Sequence, residues 1–123
     1  ALSAGSQKVD YLFVDDAAKA LCRLALTPDA SGVFVLGSGE AHTVQEIAVA
    51  IGQLVDPTIG LRFGELPDDG NRPADLLADT TRLQAVTGWQ PSTPLIEGLR
   101  RTVSWYRNRL TRNRELVTSS EGS

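Results

Sequence analysis

The sequence predicts a small mixed α/β domain, because short β-prone runs alternate along the chain with stretches of helical periodicity. Its 123 residues are enough for one compact domain and too few for two. Hydrophobic residues make up 41% of the chain and charged residues 22%, a balance typical of globular proteins. No apolar run is long enough for a membrane helix, and a net charge of −3 does not favour nucleic-acid binding. We therefore expect neither a membrane nor a nucleic acid as partner.

The first half of the chain predicts two strands and one helix. Residues 11–14 (YLFV) form a β-prone run, and Asp15 or Asp16 is then expected to cap a helix. Pro28 ends that helix, since proline cannot continue it. Residues 33–36 (VFVL) form an unbroken apolar run, which predicts a strand buried on both faces.

The second half predicts three helices separated by polar loops. Thr43 and Glu46 have the spacing of a capping box, so the next helix begins there and continues to Val55. A weak strand near Leu61 precedes a polar loop, and residues 79–86 form a short helix ended by glycine.

The last helix is predicted from near Thr93, with Pro94 in its first turn and an apolar stripe that extends to Leu110. Beyond that residue the chain is polar, which is typical of a frayed end. These features predict a domain over residues 1–110 and a polar tail over residues 111–123.

The strand-turn-helix unit over residues 33–52 resembles the start of a dinucleotide-binding motif. Gly37 and Gly39 fit the first two glycines of the fingerprint, but His42 occupies the place of the third. We interpret the unit as a tight connection and not as a cofactor site. His42 has no cysteine or histidine partner at ligand spacing, so we expect a surface residue and no metal site.

The other clusters of charge have structural explanations. The pair Asp15 and Asp16 stands where a helix N-terminus favours negative charge. Six arginines between Arg100 and Arg114 lie opposite the apolar stripe of the last helix and near its C-terminus. They are interpreted as a solvated face, with a binding face for an acidic partner as the alternative.

Three segments, taken in order, resemble one family. GSQKVDYLFVDDAAKAL is similar to GxxxRDYxxVDDxAxAx, and VFVLGSGEAHTVQEIAVAI to YNLGSGEexSvxEIAxxI. The run from residue 63 to 107 resembles a closing segment with the pattern LGWxPxxxLxEGLxxTVxWY. These patterns occur in the extended short-chain dehydrogenase/reductase family, the NAD-dependent nucleotide-sugar epimerases and dehydratases. The resemblance covers nearly all of residues 5–107.

The resemblance implies the smaller, C-terminal, substrate-binding region of such an enzyme, without its N-terminal Rossmann domain. The GxxGxxG fingerprint and the catalytic Tyr-x-x-x-Lys belong to that other domain. Tyr11 and Tyr106 are the two tyrosines here, and neither has a lysine four residues later. The chain, which also contains no methionine, is therefore expected to be a fragment that carries no catalytic residue. NAD or NADP is expected in the full-length enzyme, and no cofactor for this chain alone.

Three residues are candidate contacts to a nucleotide-sugar substrate. The family places an arginine before its Asp-Tyr pair, where this chain has Val9, and Lys8 could supply the charge instead. A second family arginine corresponds to Arg72, although some members place it where Asp69 stands. Tyr11 is similar to a tyrosine that packs near the nucleotide. Trp89 is expected to be a packing anchor between the last two helices.

Two functional hypotheses follow from the resemblance. The chain is either the substrate-binding part of an NAD(P)-dependent nucleotide-sugar epimerase, dehydratase or 4-ketoreductase, or a non-catalytic binding or assembly module that kept the fold. If the Rossmann domain is absent, the strand over residues 33–36 has an unpaired edge, so self-association is expected. One cysteine excludes an internal disulfide and fits a cytoplasmic location.

Overall fold

The computed structural model describes residues 2–67 and 75–121 and confirms the mixed α/β class. Its elements are β1 (Lys8–Asp10), α1 (Val14–Leu26), β2 (Ala41–Thr43), α2 (Val44–Val55), α3 (Thr81–Thr87) and α4 (Leu95–Glu121). Among the described residues, no helix is both long and apolar enough to cross a bilayer.

Strand β1 is hydrogen-bonded on both of its edges. It pairs antiparallel with β2, so that Val9 lies opposite His42. On its other edge Val9 forms a parallel bridge with Leu76, and the Leu76 amide donates to the Lys8 carbonyl at 2.9 Å. The segment that begins at residue 75 is thereby held beside β1.

The strand predicted over residues 11–14 is wrong, because the paired residues lie just before it. Val14 begins α1, and Phe13 is its N-cap residue without a side-chain cap. Asp15 and Asp16 are therefore not caps; they stand in the first turn of α1. There a carboxylate is still favoured by the helix dipole.

Two further predicted strands do not form among the described residues. Residues 33–36 have no ladder partner, and Val33 is 83% exposed. The side chain of Arg82 instead donates to the carbonyl oxygens of Ser31 and Val33, both at 2.7 Å. The segment near Leu61 is also irregular. An apolar run alone does not make a strand when no neighbouring strand lies beside it.

The predicted helices form, and the largest difference is at the C-terminal end of α4. The hydroxyl of Thr43 accepts from the Glu46 amide at 3.1 Å, which confirms the cap of α2. Helix α3 ends at Gly88, whose φ of 69° is the left-handed conformation that glycine favours. Helix α4 continues to Glu121, so helical structure extends beyond Leu110 into the segment predicted to fray.

The small core lies between α1, α3 and the loop that follows α3. Ala20 and Leu83 are buried against Trp89, which is 2% exposed. Leu12 and Leu24 pack around them. Trp89 is thus a packing anchor as predicted, but the helices it joins in this core are α1 and α3 and not the last two helices.

Candidate functional site

The candidate site is a groove of about 1050 Å³ between the β1–α1 connection and the first half of α4. Residues between the glycine turn and the start of β2 also contribute to its lining. Its walls are mainly aromatic and aliphatic, a composition typical of ligand-binding clefts. The wall includes Tyr11, Phe13, His42, Leu99, Trp105 and Tyr106. We call this cavity the α4 groove.

The structure places Tyr11 in the wall of the α4 groove and Lys8 outside it. Tyr11 directly follows β1 and is half-buried, whereas Lys8 is exposed on the strand. The Lys8 amide donates to the Asp75 carboxylate at 3.1 Å, so the backbone of Lys8 is fixed by the segment beside it.

Arg72 and Asp69 lie outside the described residues. The next described residue after Pro67 is Asp75, whose carboxylate accepts from the Lys8 amide. Asp75 follows Arg72 by three residues in the sequence. The site prediction for Arg72 therefore stays a prediction.

Asp10 organises the turn that leads towards the groove. Its carboxylate accepts from the Ser38 amide at 2.8 Å, the Ser38 hydroxyl at 2.6 Å, the Gly39 amide at 2.9 Å and the Ala78 amide at 3.2 Å. Burial would raise the pKa of Asp10, but these hydrogen bonds outweigh it and lower the pKa below its ordinary value. The carboxylate therefore stays ionised and holds β1, the turn and residue 78 together.

The same contacts explain why the Gly37-x-Gly39 turn only resembles a dinucleotide site. In such a site, backbone amides at the turn and the helix start face a pyrophosphate. Here the amides of Ser38 and Gly39 donate to Asp10, a carboxylate of the same chain. Added to Gly37, a Cβ atom would lie 2.8 Å from Asp10 Oδ2, so the glycine permits this close approach.

Asp16 has a role that the helix-dipole interpretation missed. It is 1% exposed, and its carboxylate accepts from the Ser92 hydroxyl and the Thr93 amide, each at 2.9 Å. Its backbone carbonyl accepts from Trp89 Nε1 at 3.0 Å. Burial raises the pKa of Asp16, yet the hydrogen bonds from Thr93 and Ser92 lower it further, so the net shift is downward. Asp16 thus fixes the loop that leads into α4.

His42 stands in the groove wall and not on an open surface, since its side chain is only 30% exposed. Its Nδ1 lies 3.2 Å from Glu46 Oε2, and its Nε2 lies 3.8 Å from Glu40 Oε2. Among residues 2–67 and 75–121, no three histidine, cysteine or acidic side chains are grouped so that they could hold a metal ion.

The arginines of α4 do not form a purely solvated face. Arg101 pairs with Glu97 at 3.1 Å, and its guanidinium carbon is 5.6 Å from the centre of the Phe13 ring. Arg107 donates to the carbonyl oxygens of Leu54 and Val55 at the end of α2. All six arginines are exposed as predicted, but Arg101 and Arg107 also contact neighbouring segments and do not lie opposite the packed side.

Of the candidate contacts among the described residues, Tyr11 lies in the groove wall and Lys8 does not. Asp10 and Asp16 escaped sequence reasoning because their partners lie 28 to 77 residues away along the chain. Both aspartates lie in GSQKVDYLFVDDAAKAL, the first segment that resembles the family. Gly37 was the sequence signal that could have pointed to a close contact with Asp10.

Relatives of known sequence support the resemblance. The chain is 34% identical over 105 residues to UDP-glucose 4-epimerase of Mycolicibacterium smegmatis, covering 85% of this chain and 33% of that protein. It is 36% identical over 107 residues to a probable GDP-L-fucose synthase of Oryza sativa subsp. japonica, covering 83% and 30%. The chain thus spans about a quarter to a third of the length of the curated relatives it matches. No family model matches the chain.

Solved structures of nucleotide-sugar epimerases also resemble this chain. The UDP-glucose 4-epimerase of Thermotoga maritima with UDP-glucose superposes with a TM-score of 0.74 at 28% identity, covering 86% of this chain and 33% of that one. The UDP-glucose 4-epimerase of Thermus thermophilus in complex with NAD gives a TM-score of 0.72 at 28% identity, covering 86% and 34%. Both matches involve about a third of the larger protein.

Proposed function

The chain corresponds to the C-terminal portion of the extended short-chain dehydrogenase/reductase family, and we propose that it is the substrate-binding part of an NAD(P)-dependent nucleotide-sugar epimerase, dehydratase or 4-ketoreductase. The named relatives act on UDP- and GDP-sugars, so a nucleotide-sugar is the proposed substrate class. NAD or NADP is assigned to the N-terminal portion that the relatives have in addition. We place the protein in the cytoplasm.

The observation that supports the proposal is the pairing of β1 with the described segment that begins at Asp75. Asp75 accepts from the Lys8 amide and Leu76 bridges to Val9, so the chain three residues after Arg72 in sequence lies beside Lys8. Tyr11 follows three residues after Lys8, about 10 Å along an extended chain. A diphosphate held at that edge could therefore extend its nucleoside or sugar towards the groove.

The charges of the α4 groove support a diphosphate at the edge of β1 and an uncharged part of the ligand in the groove. Among the described residues, Asp15 and Glu40 line it, and the one lining cation, Arg101, pairs with Glu97. A diphosphate would be repelled from such a wall. The aromatic wall instead suits an uncharged part of the ligand, with the diphosphate assigned to Lys8 and Arg72.

Calorimetry with UDP-glucose and GDP tests the proposal. We expect Arg72→Ala to weaken binding of the preferred nucleotide by about 1.5–3 kcal/mol, the usual contribution of a hydrogen bond to a charged group. That corresponds to a factor of roughly 10 to 150 in Kd. Arg62→Ala is the matched control, because Arg62 is exposed and pairs with Glu65. Its affinity should equal that of the wild type.

The alternative, a non-catalytic module, is favoured by one observation. Val9 occupies the position where the family has an arginine, and it is paired on both sides, with His42 and Leu76. If the wild-type chain bound neither nucleotide, the alternative would stand and the proposal would fail. Binding that Arg72→Ala leaves unchanged would remove Arg72 from the site.

A further inference from the structure

His42 and Glu40 place two polar atoms side by side in the wall of the α4 groove. His42 Nε2 lies 3.8 Å from Glu40 Oε2, and both residues line the groove. Their backbone positions are fixed, because the Glu40 amide donates to the Ser38 hydroxyl at 3.1 Å and His42 pairs with Val9 in the sheet. A ligand in the groove therefore meets both atoms together.

Glu46 determines which nitrogen of the His42 ring carries the proton. Nδ1 lies 3.2 Å from Glu46 Oε2, and an ionised carboxylate only accepts hydrogen bonds, so Nδ1 is the donor. Nε2 of the neutral ring is then an acceptor. A protonated Nε2 would approach Glu40 to about 2.8 Å, the length of a charge-assisted hydrogen bond, whereas 3.8 Å is too long for any hydrogen bond. Nε2 and the Glu40 carboxylate are therefore two adjacent acceptors that do not bond to each other.

The other polar side chains of the groove leave few donors for a ligand. The hydroxyl groups of Ser38, Ser92 and Thr102 each donate to an acceptor within the chain. The guanidinium of Arg101 is engaged in an ion pair, and Asp15 adds a further carboxylate. Among the described residues, the polar side chains that line the groove thus offer mainly acceptors, which suits a ligand edge rich in N–H groups.

The aromatic wall of the groove suits a planar ligand group. Tyr11, Phe13, Trp105 and Tyr106 contribute rings to it, and a nucleobase stacks favourably on such rings whatever its identity. Base selectivity in this groove rests on the proposed function, in which the edge of β1 holds the diphosphate and the groove receives another part of the nucleotide-sugar. The stacking surface favours the base as that part.

We propose that the α4 groove binds the base of a guanosine diphosphate sugar, with His42 and Glu40 as the residues that determine this specificity. The Watson–Crick edge of guanine carries two adjacent donors, N1–H and N2–H, which match two adjacent acceptors. The same edge of uracil has one donor, N3–H, between two carbonyl groups, so a carbonyl oxygen would lie against an acceptor of the protein. A site that pairs with a ligand N–H strongly rejects an analogue without it. Glu46 is a positioning residue, because it acts through His42.

Calorimetry of the wild-type chain with GDP, inosine diphosphate and UDP tests the proposal. The titrations are made at about pH 8, where a histidine ring is ordinarily neutral. GDP should bind about tenfold or more tighter than UDP, the effect of a hydrogen bond to a charged group. Inosine diphosphate lacks only the N2 amino group of GDP, and it should also bind about tenfold or more weaker than GDP.

Variants of the two acceptors separate base recognition from support of the groove. His42→Phe keeps a ring and removes Nε2, and Glu40→Ala removes the carboxylate; each should weaken GDP about tenfold and leave UDP unchanged or tighter. Glu46→Ala should weaken GDP less, whereas Glu46→Gln should restore its affinity, because the amide oxygen still accepts from Nδ1–H. Glu65→Ala is the matched control, since it removes an exposed carboxylate that pairs with Arg62 outside the groove. Circular dichroism establishes that each variant is folded.

The titrations distinguish failure of guanine selectivity from failure of the proposed function. Equal affinities for GDP and UDP would overturn the selectivity, and tighter binding of UDP would mean that Nε2 donates to a uracil carbonyl. Variants at His42 and Glu40 that weaken GDP and UDP equally would overturn it as well, because the two residues would then support the groove without contacting the base edge. Each of these results leaves the proposed function intact. If no nucleotide bound to the wild type, the proposed function and the selectivity would both fail.

Discussion

At the scale of single residues, one carboxylate determines what the glycine turn can bind. The Asp10 carboxylate accepts hydrogen bonds from the backbone amides of Ser38 and Gly39. Amides at such a turn would otherwise donate to a phosphate. The position of this carboxylate depends on Gly37, because the turn approaches Asp10 and Ala78 too closely for a side chain. Glycine at this position therefore serves packing, although its spacing is that of a cofactor fingerprint.

Gly37→Ala should consequently destabilise the fold. The new Cβ would lie 2.4 Å from the Ala78 Cβ, a separation that forces the backbone to move. Overpacking of this kind costs about 1–3 kcal/mol, measurable as a lower free energy of unfolding in urea. Gly60→Ala is the control, since nothing lies within 4 Å of its added Cβ. Equal stability of the two variants would show that the turn is not packed against residue 78.

At the scale of elements, α4 stabilises the end of α2. The last turn of α2 has no basic residue of its own, and the Arg107 guanidinium donates to two of its terminal carbonyl groups. A cation at a helix C-terminus interacts favourably with the helix dipole. Arg107 thus fastens the middle of α4 to α2.

Arg107→Ala should lower the free energy of unfolding by about 1 kcal/mol, a modest value because the contact is exposed to solvent. Thermal unfolding by circular dichroism measures the change. Asn108→Ala, at the exposed neighbouring position, should not lower the unfolding temperature and should raise it slightly, because alanine is the better helix former. If Arg107→Ala were as stable as the wild type, the guanidinium of Arg107 would not stabilise the end of α2.

The helices could be predicted from sequence because their signals are local. The Thr43 cap and the terminating Gly88 act within one turn of the residues they affect. A strand depends on partners elsewhere in the chain, which an apolar run does not reveal. The run over residues 11–14 therefore predicted a strand a few residues after the actual β1. Residues 33–36 have the composition of a buried strand, yet no described segment pairs with them. Tyr11 was a candidate only through the family resemblance, and its place in the groove wall is known only from the structure.

At the scale of the whole molecule, the acidic residues that join distant segments also set the stability against acid. Asp10 and Asp16 together connect β1, α1, the glycine turn and the loop before α4. Burial opposes ionisation of both, but hydrogen bonds to each carboxylate lower its pKa below 3.8. A lowered pKa in the folded state means that folding is favoured by the ionised form.

The free energy of unfolding should therefore retain this contribution above about pH 4 and lose it as the pH falls through the lowered pKa values of Asp10 and Asp16. Asp16→Asn keeps an acceptor but removes the charge, so it should be less stable than the wild type by about 2 kcal/mol at pH 7. The difference should shrink towards pH 2, where protonation removes the same charge from the wild type. Urea unfolding at pH 7, 4 and 2 measures this, with Asn108→Ala as the neutral control. A deficit that stays constant over the whole range would show that Asp16 stabilises the loop through its shape and not through its charge.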